Sequence, residues 1–123
     1  VRLVLPERNN NWFAGLASHA YYQELLEAGV RIFQRPPPFM HAKALILDGR
    51  FSLIGTANLD IRSLRLNYET NLAVYDDEFA DVMKAAALDE IARSHEVLLD
   101  QWRARPYHRR LVENLFSLLA PIL

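Results

Sequence analysis

Val1, Leu3, Val4 and Leu5 open the chain as an apolar run that stops at Pro6, the pattern of a short strand, and Glu7-Arg8-Asn9-Asn10-Asn11 reads as the loop after it. From Trp12 to Ala28 the apolar positions Leu16, Ala20, Leu25 and Leu26 return at helical spacing. Gly29 is the expected stop, because glycine takes the left-handed conformation that ends helices. Val30-Arg31-Ile32-Phe33 predicts a second strand. Strand, helix and strand in this order predict a βαβ unit with parallel strands, and so an α/β fold with a mixed sheet flanked by helices.

Pro36-Pro37-Pro38 predicts a stiff extended linker, since each ring fixes φ and restricts the residue before it. Lys43 to Leu47 and Phe51 to Ile54 are short apolar runs on either side of Asp48-Gly49-Arg50, the pattern of a β-hairpin with an Asp-Gly turn. Leu72-Ala73-Val74-Tyr75 predicts a further strand. Asp76-Asp77 then caps a helix expected from about Glu78 to Asp100, with Val82, Ala85, Ala86, Leu88, Ala92 and Leu99 as its buried stripe. His108 to Leu119 is amphipathic, with Leu111, Leu115, Phe116, Leu118 and Leu119 largely on one side.

A chain of 123 residues that is 51% apolar fits one compact domain, taken as residues 1–123. With no cysteine, disulfides, thiolate metal sites and a cysteine nucleophile are all excluded. Lys and Arg number 14 against 15 Asp and Glu, a formal charge of −1, so no overall positive field points to nucleic acid. No stretch reaches the roughly 18 to 20 apolar residues of a membrane-spanning helix, so the chain as given is expected to be soluble. It opens directly in a strand, which suggests a piece of a longer protein.

The chemistry concentrates in His41-Ala42-Lys43-Ala44-Leu45-Ile46-Leu47-Asp48 and Gly55-Thr56-Ala57-Asn58. On a strand residues i and i+2 share a face, so His41 and Lys43 are expected in one pocket. A neutral imidazole attacks phosphorus well once a partner fixes its tautomer. Of the two carboxylates considered, Asp48 lies seven residues along, roughly 23 Å at strand rise, and suits the hairpin turn. Glu69 is therefore the expected orienting base. Lys43 supplies a point charge to phosphoryl oxygens, the Asn58 amide a directional donor and Thr56 a hydroxyl donor. Gly55 is expected to let the backbone approach the substrate. No tight carboxylate cluster accompanies a second histidine, so no metal or other cofactor is expected and turnover should resist chelators.

His41-x-Lys43, four residues, Asp48, six residues, then Gly55-Thr56-x-Asn58 resembles the HKD motif of the phospholipase D superfamily. GTANLDIRSLRLNYETNLAVYD and the closing RRLVENLFSLLAPIL are similar to the C-terminal end of bacterial cardiolipin synthases, with Thr56 where that family usually has Ser. The resemblance implies a two-lobed enzyme in which two HKD motifs share one active site. This chain would be the C-terminal phospholipase D-like lobe, carrying His41, Lys43 and Asp48. It would need the missing N-terminal lobe, or a second copy of itself, as partner, and be silent alone.

The resemblance further implies a covalent phosphohistidine on one motif and acid-base work by the other histidine. It implies transfer of a phosphatidyl group from phosphatidylglycerol to a second lipid alcohol, and N-terminal membrane segments that place the full-length protein at the bacterial inner membrane. A hydrolase of the same superfamily, either phospholipase or nuclease, is the first alternative. A non-catalytic lobe that binds lipid or a partner is the second. His19 in the first helix, His95 in the long helix and His108 at the start of the last are assigned no chemistry. Arg62 and Ser63 lie in a segment expected near the pocket, where the arginine either braces a loop or touches phosphate, and Asn67 and Tyr68 are given no role. Arg103, Arg105, Arg109 and Arg110 gather near the last helix, which is expected to pack on the core rather than lie on a membrane.

Overall fold

The computed structural model describes residues 1–8, 12–38 and 40–117. The expected loop residues Asn9 to Asn11 and the expected helix end at Leu118 and Leu119 lie outside the described residues, as do the side chains of Arg62 and Phe116. The chain divides into two compact units: Val1–Met40 with Arg93–Leu123, and His41–Ala92. Each holds a three-stranded sheet with helices. The α/β class is as expected, with its strands shared between two sheets.

In the first unit β1 (Arg2–Pro6) and β2 (Arg31–Arg35) pair in parallel, Arg2 opposite Arg31 and Pro6 opposite Arg35, which is the expected βαβ crossover. The single helix expected between them is two, α1 (Trp12–His19) and α2 (Tyr22–Glu27). A turn in which Tyr21 N–H donates to the Ser18 carbonyl at 3.2 Å separates them. The break brings Tyr22 into the core beside Ile32 and Trp102, where its ring stacks on Trp102 with centroids 4.8 Å apart. Burial pushes the Tyr22 phenol up to about 12. Gly29 ends α2 at φ +83°, as expected.

The long C-terminal helix expected to reach Asp100 stops early, and His95 lies on a strand instead. β6 (His95–Val97) pairs antiparallel with β2, Val97 opposite Ile32, and α5 (Leu99–Arg103) follows. Tertiary contacts override helix propensity here. Val97 packs against the core of Tyr22, Ile32 and Trp102. Glu96 meets Arg31 through two hydrogen bonds of 2.8 and 2.9 Å, the bidentate geometry that favours arginine.

The last helix, α6 (Tyr107–Ser117), packs on α1 as expected, but with the opposite side inward: Leu111 and Leu115 are exposed and Glu113 is 5% exposed. The Glu113 carboxylate is tolerated because Arg105 Nη1 donates to it at 2.7 Å and His19 Nδ1 stands 3.5 Å away. Arg105 also lies over the Trp102 ring, its guanidinium carbon 3.3 Å from the centroid. Arg103 pairs with Glu27, and Arg110 donates to Gln23. Three of the four clustered arginines thus serve the packing of this unit.

Burial holds His19 below its ordinary value of 6.5, against the attraction of Glu113 and with help from the positive charge of Arg105. The folded state therefore favours neutral His19. Its contribution is present above the unfolded value and is lost as pH falls through 6.5 toward the lower folded value. The denaturant midpoint is expected to fall on acidification from about pH 7.5 to about pH 5.5, and to fall less in a His19→Gln variant. Equal slopes in urea titrations of the two proteins would refute this.

The second unit is built on the expected hairpin. β3 (Ala44–Leu47) and β4 (Phe51–Gly55) pair antiparallel from Ala44 opposite Ile54 to Leu47 opposite Phe51. Asp48 and Gly49 close the turn at φ 52° and 64°, with Arg50 N–H on the Leu47 carbonyl at 3.1 Å, the left-handed pair that suits right-twisted strands. The short helix α3 (Ile61–Arg65) leads to β5 (Asn71–Tyr75), which completes the sheet antiparallel to β4. Asp76 Oδ1 then accepts from Phe79 N–H at 2.7 Å and caps α4 (Asp77–Ala92).

α4 packs on all three strands of this sheet. Its inward side carries buried Ala80 and half-buried Met83, Ala87 and Ile91, whereas the expected stripe of Val82, Ala85, Ala86, Leu88 and Ala92 is exposed. Apolar residues occur around the whole helix, so spacing alone did not select the packed face. Among the described residues no helix is long and apolar enough to cross a membrane.

Candidate active site

The residues expected to carry the chemistry all belong to the second unit and, Asp48 apart, lie at the end of its sheet away from the hairpin turn. His41-Ala42-Lys43 lies just before β3 rather than on it. The ladder nevertheless continues one step, because Gly55 N–H donates to the Lys43 carbonyl at 3.2 Å. The expected sharing of one side is realised: Lys43 Nζ stands 2.8 Å from His41 Nε2 and 3.4 Å from the His41 carbonyl oxygen. An ammonium offers only donors, so Nε2 accepts and the ring proton belongs on Nδ1.

Thr56 follows β4 and is tied to the start of β5. Its N–H donates to the Thr70 carbonyl at 3.1 Å, and its hydroxyl oxygen accepts from Thr70 N–H at 3.0 Å. Its own proton goes to Glu69 Oε2 at 2.6 Å. Thr56, expected as a phosphate donor, is thus engaged with Glu69 in this state. Glu69, expected to orient His41, is held by Thr56. This hydrogen bond, with the nearby positive charge of Lys43 among the smaller causes, keeps the Glu69 carboxyl below its ordinary 4.5. At neutral pH Glu69 is a carboxylate that only accepts.

Gly55 has a different role from the one its position suggests. A Cβ there would run into the Asn71 side chain and the Thr70 carbonyl, so the close approach it permits is to β5 and not to a ligand. Asn58 lies exposed three residues beyond Gly55, on the segment leading to α3. Asp48 is not brought to this group. It occupies the hairpin turn five residues from Lys43, about 17 Å along extended chain.

The structure therefore unites an imidazole, a lysine amine and a carboxylate-hydroxyl pair, with a carboxamide on the adjoining segment. Such a set has the chemistry to meet a phosphodiester oxygen with the Lys43 amine and a phosphorus or a hydroxyl proton with the imidazole. The Thr56–Glu69 link was not foreseen. The signal for it was the strand pairing, which sets Gly55 opposite Asn71 and hence residue 56 beside residues 69 and 70. Among the described residues no group of three or more His, Asp or Glu side chains is placed to hold a metal ion.

Residues 1–89 match the family model described as cardiolipin synthase, PLD-like domain. The whole chain is 42% identical over 123 residues to cardiolipin synthase A of Pectobacterium carotovorum, and 38% identical to that of Proteus mirabilis. It spans 25% of the length of each of these relatives. A crystal structure of Nuc from Salmonella typhimurium, a phospholipase D family member, superposes with a TM-score of 0.65 at 20% identity, covering 79% of this chain and 63% of that one. That likeness concerns the fold. The motif geometry and the family match together show that this chain belongs to the phospholipase D-like domain family of cardiolipin synthases.

Proposed function

We propose that the protein to which this chain contributes is a phosphatidyltransferase that makes cardiolipin from phosphatidylglycerol and a second phospholipid alcohol; its relatives are named cardiolipin synthase A. The chain is its C-terminal lobe and supplies one of two HKD motifs. The other comes from an N-terminal lobe or from a second copy of this one, and the whole protein works at the bacterial inner membrane. The observation that carries this reading is the 2.8 Å contact between His41 Nε2 and Lys43 Nζ. It puts a nucleophilic nitrogen and the cation for the phosphoryl oxygen on one spot.

In the first step an imidazole nitrogen forms a bond to phosphorus as the phosphorus–oxygen bond to glycerol breaks, and the second histidine gives its proton to the departing alkoxide. In the second step that histidine takes the proton of the acceptor hydroxyl, whose oxygen replaces the imidazole on phosphorus. With its proton on Nδ1, His41 has a lone pair on Nε2, which suits attack on phosphorus; the proton-giving part would need the ring protonated on Nε2 as well. Lys43 and the Asn58 amide stabilise the charge on the equatorial oxygens, and Glu69 holds Thr56 beside them.

Vesicles of phosphatidylglycerol incubated with the whole protein are expected to yield cardiolipin and free glycerol in equal amounts. Phosphatidic acid without cardiolipin would show that water is the acceptor and defeat the transferase reading. Cleavage of a DNA substrate with no lipid product would defeat the lipid reading altogether.

A further inference from the structure

Between Asn58 and Glu69 the chain leaves the sheet and returns to it, and both stems of this loop are site residues. The stems are clamped by the contacts of Thr56 with Glu69 and Thr70. Within the loop, Asp60 Oδ1 accepts from Ser63 N–H at 2.7 Å and Asp60 O from Leu64 N–H at 3.1 Å, while Ser63 is buried. The loop is therefore a built element, closed at its base and held from inside. Large apolar side chains stand outward from it among exposed Asp60, Arg65 and Asn67: Leu59 is 66% exposed, Leu64 66% and Leu66 61%, and Tyr68 is fully exposed. A soluble surface rarely carries so many large apolar side chains in ten residues without a partner for them.

We infer that the loop 59–68 is a bilayer-contacting lip of the phosphodiester site, seating Leu59, Leu64, Leu66 and Tyr68 among the acyl chains of an anionic phospholipid surface. The inference rests on the lipid reading of the site and adds the element that reaches the lipid. Two observations choose this occupant over a protein surface. The lip starts beside Asn58, the amide proposed for the phosphoryl oxygens, and ends at Glu69, which holds Thr56, and a lipid phosphodiester brings its own acyl chains alongside its phosphate. Arg65, the last residue of α3, is exposed between Leu64 and Leu66 in sequence, where a guanidinium meets anionic head groups as its apolar neighbours enter the membrane. Tyr68 has the amphipathic form favoured at that boundary.

The test uses the whole protein with Leu66→Trp and Leu64→Ser/Leu66→Ser changes. With phosphatidylglycerol vesicles carrying brominated acyl chains, the added tryptophan is expected to be quenched beyond the wild-type background. The double serine variant is expected to partition onto such vesicles at least tenfold less in sedimentation, and to show a tenfold lower ratio of turnover on vesicles to turnover on dispersed short-chain phosphatidylglycerol. A tryptophan that is shielded from water without vesicles and not quenched with them, joined to equal losses on both substrates and a lower melting temperature, would mean that the lip packs on another part of the protein and would overturn the inference. Wild-type partition and turnover in the serine variant would also overturn it. Vesicle binding is read without catalysis, so a protein that binds through the lip but makes no lipid product would refute the proposed reaction and leave the lip standing.

Discussion

Turnover of phosphatidylglycerol by the whole protein is expected to fall by about four to six orders of magnitude when His41 is replaced by alanine. The size follows from the loss of the group that either bonds to phosphorus or moves the proton of the reacting hydroxyl. Among the described residues, the groups that touch this spot are Lys43, which lies against His41 itself, and Glu69, which is engaged by Thr56, so neither takes over that part. His41 is exposed and lies outside regular secondary structure, so the change should leave the unfolding midpoint within about 0.5 kcal/mol of wild type. Retained turnover would support a lobe that binds without catalysing.

Lys43→Ala is expected to lower kcat by roughly 10²- to 10³-fold, the usual effect of removing one preorganised donor from a developing phosphoryl charge. The loss should appear in kcat more than in KM, because the charge to be met grows in the transition state. Lys43 is also the cation at His41 Nε2. The Lys43→Ala and His41→Ala effects are therefore expected to be far from additive. A double variant as slow as His41→Ala alone would show that the two act as a unit. Losses that multiply would show that they act separately.

Much of this arrangement was legible in local patterns. Asp-Gly between apolar runs specified the hairpin, Asp76 specified a helix start and Gly29 a helix stop, each because one backbone conformation or one orphan N–H decides the matter locally. The motif placed His41 beside Lys43 although the strand begins only at Ala44. What escaped depends on distant partners. Glu96 and Val97 leave the helix for β2, which is more than sixty residues away in sequence. Glu113 is buried because Arg105 and His19 come to meet it, and no hydropathy pattern reveals that. Gly55 looked like a ligand contact and proved to be the crossing point of β4 and β5, since the sequence does not show which backbone approaches a glycine.

The pairing of His41 with Lys43 around one phosphoryl group is tested most directly by the histidine-ring NMR signals of isotope-labelled protein titrated with vanadate, a phosphate analogue. The predicted result is a shift at His41 Nε2 that saturates with vanadate and disappears in Lys43→Ala. A His41 signal that stays still at saturating vanadate, or one that responds equally without Lys43, would contradict the account.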